Sequence, residues 1–173
     1  MASDEPTGTR ILGALRSANG KGVVRMEDTF DNGIDEVWSA LTQPEHLAHW
    51  LGELEGDLRL GGEFRATYFA SGWEGTVRVQ ACEPPRRLLV EGEDHKHHEQ
   101  HAIEFTLTAD GARTHVVFEE RGMPLDLLVA YGAGVQVHIE DLAAHLAGRE
   151  RCDASARWAE LFQAYEHLPV DAE

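Results

Sequence analysis

Cysteine is nearly absent: Cys82 and Cys152 are the two thiols in 173 residues. They lie far apart and outside any CxxC motif, which excludes a disulfide framework and a zinc knuckle. A reduced, cytoplasmic compartment is the expectation. Basic residues are also few, 15 Lys and Arg against 31 Asp and Glu, for a net charge of −16. A surface this acidic repels phosphate backbones and anionic headgroups, so neither a nucleic-acid nor a membrane partner is expected, and solubility is the plain use of the charge. No apolar run approaches the roughly 18 residues that would span a bilayer. The N-terminus lacks a basic segment followed by a long apolar one, so no signal peptide is expected. GxSxG, HExxH, the P-loop and the dinucleotide fingerprint are all missing. No motif calls for a cofactor or a metal, and there is no internal repeat or low-complexity segment.

What is present suits one folded unit. The length fits a single domain able to bury a core without disulfide or metal staples. Hydrophobic residues make up 42% and charged residues 27%, both ordinary for a globular chain. Residues 1–21 read as a flexible arm. Met1–Gly8 is small, acidic and polar and reads as disordered, while Ile11, Leu12 and Leu15 predict a short amphipathic helix stopped at Asn19-Gly20. Val23–Phe30 reads as a first strand. Ile34, Val37, Trp38 and Leu41 then recur at helical spacing. Thr42 with Glu45 three residues on resembles a capping box for a second short helix, with Pro44 in its first turn.

Strands follow in quick succession: Asp57–Leu60, Glu63–Ala70, Thr76–Ala81, Leu88–Glu91, Gln100–Thr108 and Thr114–Glu120. Tight turns between them, such as Asp110-Gly111, predict an antiparallel meander with one buried face. The period then changes. Leu128, Tyr131, Val135, Leu142 and Leu146 predict a helix of roughly 20 residues, about 30 Å long. Trp158, Leu161, Phe162 and Tyr165 mark a last helix within a C-terminal extension, residues 149–173.

The residues themselves resemble a known superfamily. Val37-Trp38-Ser39-Ala40-Leu41-Thr42 is followed by Pro44-Glu45-His46-Leu47 and Trp50. Further on come Leu60-Gly61-Gly62-Glu63-Phe64, Glu83-Pro84-Pro85-Arg86-Arg87-Leu88 and Gly134-Val135-Gln136-Val137-His138. This ordered set is similar to START-like, or SRPBCC, proteins, and within them to the bacterial homologues of the heat-shock-protein ATPase activator. The resemblance covers roughly residues 22–148. It implies an α+β helix-grip fold, in which a curved antiparallel sheet of about six or seven strands wraps a long C-terminal helix, with two short helices after the first strand. It also implies a hydrophobic cavity between sheet and helix. Gly92 stands where relatives often carry a tryptophan facing the cavity, which predicts a wider pocket there.

Candidate ligand-binding residues are Trp50, Tyr68, Trp73, Phe105, Phe118, Tyr131 and Val135; plain core packing is the competing reading for each. Gly132 and Gly134 beside Tyr131 mark a close backbone approach or space for a ligand, or simply the point where the helix begins or bends. His95, His97, His98 and His101, with Glu93, Asp94 and Glu99, read either as metal ligands or as a solvated hairpin tip. Glu120 shares a strand face with Val116 and Phe118, and His138 lies beside the apolar stripe of the long helix. If buried, either could move protons.

Three functions compete. The leading one is a non-enzymatic binder of a small hydrophobic molecule. The second is a cyclase- or hydrolase-like enzyme in the same cavity, which would need two ionisable side chains converging there. The third is an interaction module like the chaperone-ATPase activators. A homodimer through the N-terminal arm or the final aromatic helix is also expected.

Overall fold

The computed structural model describes residues 10–172; the disorder expected for Met1–Gly8 lies outside them. Among the described residues, nine strands form one sheet. They are β1 (Gly13–Ala18), β2 (Lys21–Phe30), β3 (Gly52–Gly56), β4 (Glu63–Tyr68), β5 (Glu74–Glu83), β6 (Arg87–Asp94), β7 (Gln100–Asp110), β8 (Arg113–Met123) and β9 (Val170–Asp171). The helices are α1 (Ile34–Thr42), α2 (Pro44–Trp50), α3 (Leu128–Leu146) and α4 (Ala154–Tyr165), with a 3-10 turn at Leu125–Leu127 before α3. The strand order is β3-β4-β5-β6-β7-β8-β2-β1-β9, antiparallel except where β9 joins β1. This is the helix-grip arrangement, with 19-residue α3 against the sheet's apolar face. Two more strands are present than the six or seven expected, namely β1 and β9.

The N-terminal arm is the clearest correction. Asn19-Gly20 does not stop a helix. Both residues have positive φ, 54° and 78°, and Ala18 pairs with Lys21 across them. That is the two-residue hairpin turn that Asn-Gly favours, because its twist matches the flanking strands. Residues 13–18 are therefore a strand, and Leu15 is buried beside Val24 and Met26 in the core. Two further local readings differ. The expected strand at Asp57–Leu60 is a loop, in which the Asp57 carboxylate accepts the Arg59 N–H at 2.9 Å, and the strand lies just before it as β3. Thr42 does not cap α2. Its hydroxyl donates back to the Trp38 carbonyl at 2.8 Å, Gln43 is the N-cap, and Pro44 opens the helix as expected.

The C-terminal segment closes over the N-terminal one. Asp153 caps α4 by accepting the Ala156 N–H at 3.2 Å. Tyr165 is fully buried and donates its hydroxyl hydrogen to Gln136 Oε1 at 2.6 Å. The same Tyr165 oxygen accepts the Gly13 N–H, and Gln136 Oε1 accepts the Leu12 N–H. Gly132 is explained here. A β-carbon on it would stand 3.0 Å from the Tyr165 ring, so this glycine permits close approach of α4 to α3. Of the apolar residues in the two segments expected to dimerise, Leu15, Leu161 and Tyr165 are buried within the same chain, whereas Trp158 is 38% exposed. No helix among the described residues is long and apolar enough to cross a membrane.

Candidate functional site

Two adjoining spaces lie between sheet and helices. The inner chamber, about 110 Å3, is walled by Leu47 and Trp50 from α2, by Phe64, Val77, Phe105 and Phe118 from the sheet, and by Val135 and Ile139 from α3. The outer vestibule, about 540 Å3, is bounded by Trp73, His95, His101, Tyr131, Gly134 and Trp158. Tyr68, Ile103, Glu120, Val135 and His138 belong to both walls and mark the boundary where the two spaces adjoin.

The sequence places these side chains by simple parity. On β8, Val116, Phe118 and Glu120 alternate onto the buried face. On α3, Tyr131, Val135 and His138 follow spacings of four and three and so share one stripe. Trp50 is held by its indole N–H, which donates to the Ala40 carbonyl at 2.8 Å. It is a core residue whose ring also closes the inner chamber. Phe105 and Phe118 meet edge to face at 4.9 Å.

The seven candidate residues do not fall in one place. Trp50, Phe105 and Phe118 stand on the inner chamber, Trp73 and Tyr131 on the vestibule, and Tyr68 and Val135 on both. Trp73 alters the expectation for Gly92. Its indole lies over Gly75 and Gly92, where a β-carbon on Gly92 would be 3.2 Å from the ring. The space left by the small residue is filled by an aromatic ring from the adjoining segment, stacked in turn on Tyr68 at 5.0 Å. Gly134, unlike Gly132, borders the vestibule and leaves room there.

The histidine-rich segment separates into parts. The Asp94 carboxylate accepts the N–H groups of Lys96 and His97 and so shapes the hairpin tip. His95 Nε2 meets the Thr76 hydroxyl at 2.7 Å, and His98 faces Glu93 at 3.3 Å, both exposed. His101 alone turns inward. Among the described residues no group of three or more His, Cys, Asp or Glu side chains is arranged to hold a metal ion.

His101 is the site residue that sequence reading assigned to the hairpin rather than to the cavity. Its Nδ1 lies 3.1 Å from Glu120 Oε1, and both residues are buried, at 4% and 7% exposure. The signal was available: His101 has the same parity as Ile103, Phe105 and Leu107, so it shares their face. The edge of the Tyr131 ring meets the His101 ring at 5.2 Å. Burial first, then the nearby carboxylates of Asp94, Glu120 and Glu99, push the Tyr131 hydroxyl up to about 12. Burial first, then Glu120, likewise raises Tyr68. Burial pushes His138 down to about 4, which keeps its ring neutral at pH 7. The walls of the two spaces thus include two tyrosines raised above their ordinary range, a neutral imidazole at His138 and the buried Glu120–His101 pair.

The family described as Activator of Hsp90 ATPase homolog 1-like protein matches residues 32–147. No curated protein matches the chain. Among solved structures, CalU16 from Micromonospora echinospora superposes with a TM-score of 0.72 at 25% identity, over 90% of this chain and 94% of that one. DynU16, a protein in the dynemicin biosynthetic locus, gives 0.68 at 27% identity, over 76% of this chain but only 50% of its own. The protein encoded by BPP1335 from Bordetella parapertussis gives 0.71 at 19% identity, with 94% of each chain covered, and is similar in fold.

Proposed function

The chain belongs to the Activator of Hsp90 ATPase homolog 1-like family, within the START-like superfamily, and from that premise we propose that it binds a small hydrophobic molecule between sheet and α3. The observation that carries this reading is the pair of adjoining spaces, an apolar inner chamber and a larger vestibule that share Tyr68, Val135 and His138 in their walls. An apolar group in the chamber meets mostly apolar walls, and burial contributes about 25 cal/mol per Å2 of apolar surface. Titration with a neutral polarity-sensitive dye such as Nile red tests it. Blue-shifted, saturable emission, competed by uncharged polyketide or lipid compounds, is expected. Emission unchanged from that in buffer would sink the reading.

A second reading is favoured by one observation. Glu120 and His101 are two ionisable groups converging on the cavity, as a cyclase- or hydrolase-like enzyme needs. The biosynthetic locus of DynU16 adds to it. Turnover of a bound compound, followed by mass spectrometry, separates enzyme from carrier. An assay of chaperone ATPase stimulation separates both from an interaction module.

A further inference from the structure

We propose that the vestibule wall at His101 and His138 is a hydroxyl-binding subsite, and that the ligand class it selects is a neutral aromatic alcohol rather than a carboxylate. This deepens the ligand-binding reading above and rests on it.

Among the described residues, two buried side-chain polar atoms have no hydrogen-bond partner in the protein: His101 Nε2 and His138 Nδ1. Buried polar groups are almost always paired, because an unmet one forfeits its bonds to water. Both rings border the same space. His138 lines chamber and vestibule, while His101 lines the vestibule and is held by Glu120, which lines both.

The other nitrogen of each ring is already engaged. His101 Nδ1 faces Glu120, which fixes the ring and leaves Nε2 as its free end. His138 Nε2 lies 3.4 Å from the Ser71 hydroxyl, leaving Nδ1 free. A free imidazole nitrogen donates or accepts according to its proton. A hydroxyl can do either, whereas a carbonyl only accepts and an ammonium only donates. A hydroxyl therefore matches either nitrogen in any tautomer.

Charge and shape narrow the class. Asp94, Glu99 and Glu120 set a negative field that reaches Tyr131. A ligand carboxylate would meet that field while losing its own hydration. The Tyr68–Trp73 stack, 5.0 Å between centroids, offers a flat wall suited to a ring.

Equilibrium dialysis of the full chain against naphthalene, 2-naphthol and 2-naphthoate at neutral pH tests the proposal. The expected order is 2-naphthol tighter than naphthalene by about tenfold, with 2-naphthoate weakest. His101→Phe and, independently, His138→Phe should each shrink the naphthol preference severalfold, and Glu120→Gln should narrow the deficit of naphthoate. If His101→Phe does not melt cooperatively, His138→Phe and the wild-type ranking decide the matter. Equal binding of naphthol and naphthalene overturns the subsite and leaves the cavity reading standing. A preference surviving both histidine variants places the hydroxyl elsewhere and also overturns it. Failure of all three compounds to bind overturns the subsite and the cavity reading together.

Discussion

The indole of Trp73 lies across Gly92, its ring 3.2 Å from where a β-carbon on that glycine would stand. The two residues are nineteen positions apart and meet because β5 and β6 pair with Gly75 opposite Asp94 and Val77 opposite Gly92. One wall of the vestibule depends on this contact. Gly92→Val should drive the ring off the sheet and cost about 1–3 kcal/mol from overpacking. Urea denaturation gives the cost, and loss of Trp73 near-ultraviolet dichroism, against a Trp73→Phe control, reports the displacement. An unchanged spectrum would mean that the ring is not seated there.

Val135, with His138, is one of two α3 residues that line both chambers. Val135→Trp should fill the inner chamber and weaken dye binding at least tenfold while the chain still folds. Val135→Ala should enlarge the chamber and cost about 1–3 kcal/mol of stability. Dye titration and thermal melting together check both outcomes.

Glu120 and His101 form a buried pair, and removing one partner strands the other. Glu120→Ala should destabilise by about 3 kcal/mol or more. Glu120→Gln, which keeps a hydrogen-bonding oxygen for His101, should lose less. Equal losses in urea denaturation would mean that the pair contributes through packing alone.

Tyr165 donates to Gln136 and accepts from Gly13. Tyr165→Phe leaves the Gly13 N–H without its acceptor and should cost about 1–3 kcal/mol. A double-mutant cycle with Gln136→Leu should show coupling, since the two side chains act as one network.

The His138 ring is neutral because burial lowers its pKa from 6.5 to about 4. The unfolded chain therefore binds a proton between those values that the folded chain does not, so stability falls as pH drops from 6.5 toward 4 and is constant in this term above 6.5. The loss is on the order of 3 kcal/mol across the window. His138→Leu should flatten the profile there, measured by urea denaturation at stepped pH.

The order of elements was legible in the sequence because it depends on local pattern. Alternation along Val116, Phe118 and Glu120 fixes which face is buried, and three- and four-residue spacing along Tyr131, Val135 and Leu142 fixes the stripe of α3. Errors arose where one dipeptide serves two purposes. Asn19-Gly20 ends helices and also turns hairpins; the choice fell to the hairpin because Leu15 buries against Val24 and Met26 only as a strand. The two-residue β9 has too little pattern to be read, and it forms because α4 returns the chain to the exposed edge of β1.

Sequence alone determined the fold class and the net negative charge, and it pointed to a few of the aromatic and apolar side chains that line the two spaces, since periodicity and composition are properties of neighbours along the chain. Tertiary structure decided which polar groups meet. Glu120 and His101 are brought together by the register of β7 against β8, in which Ile103 stands opposite Glu120. Trp73 covers Gly92 through the register of β5 against β6. Register follows from the whole buried face rather than from any one segment, so the meeting of these side chains around the cavity became visible only in three dimensions.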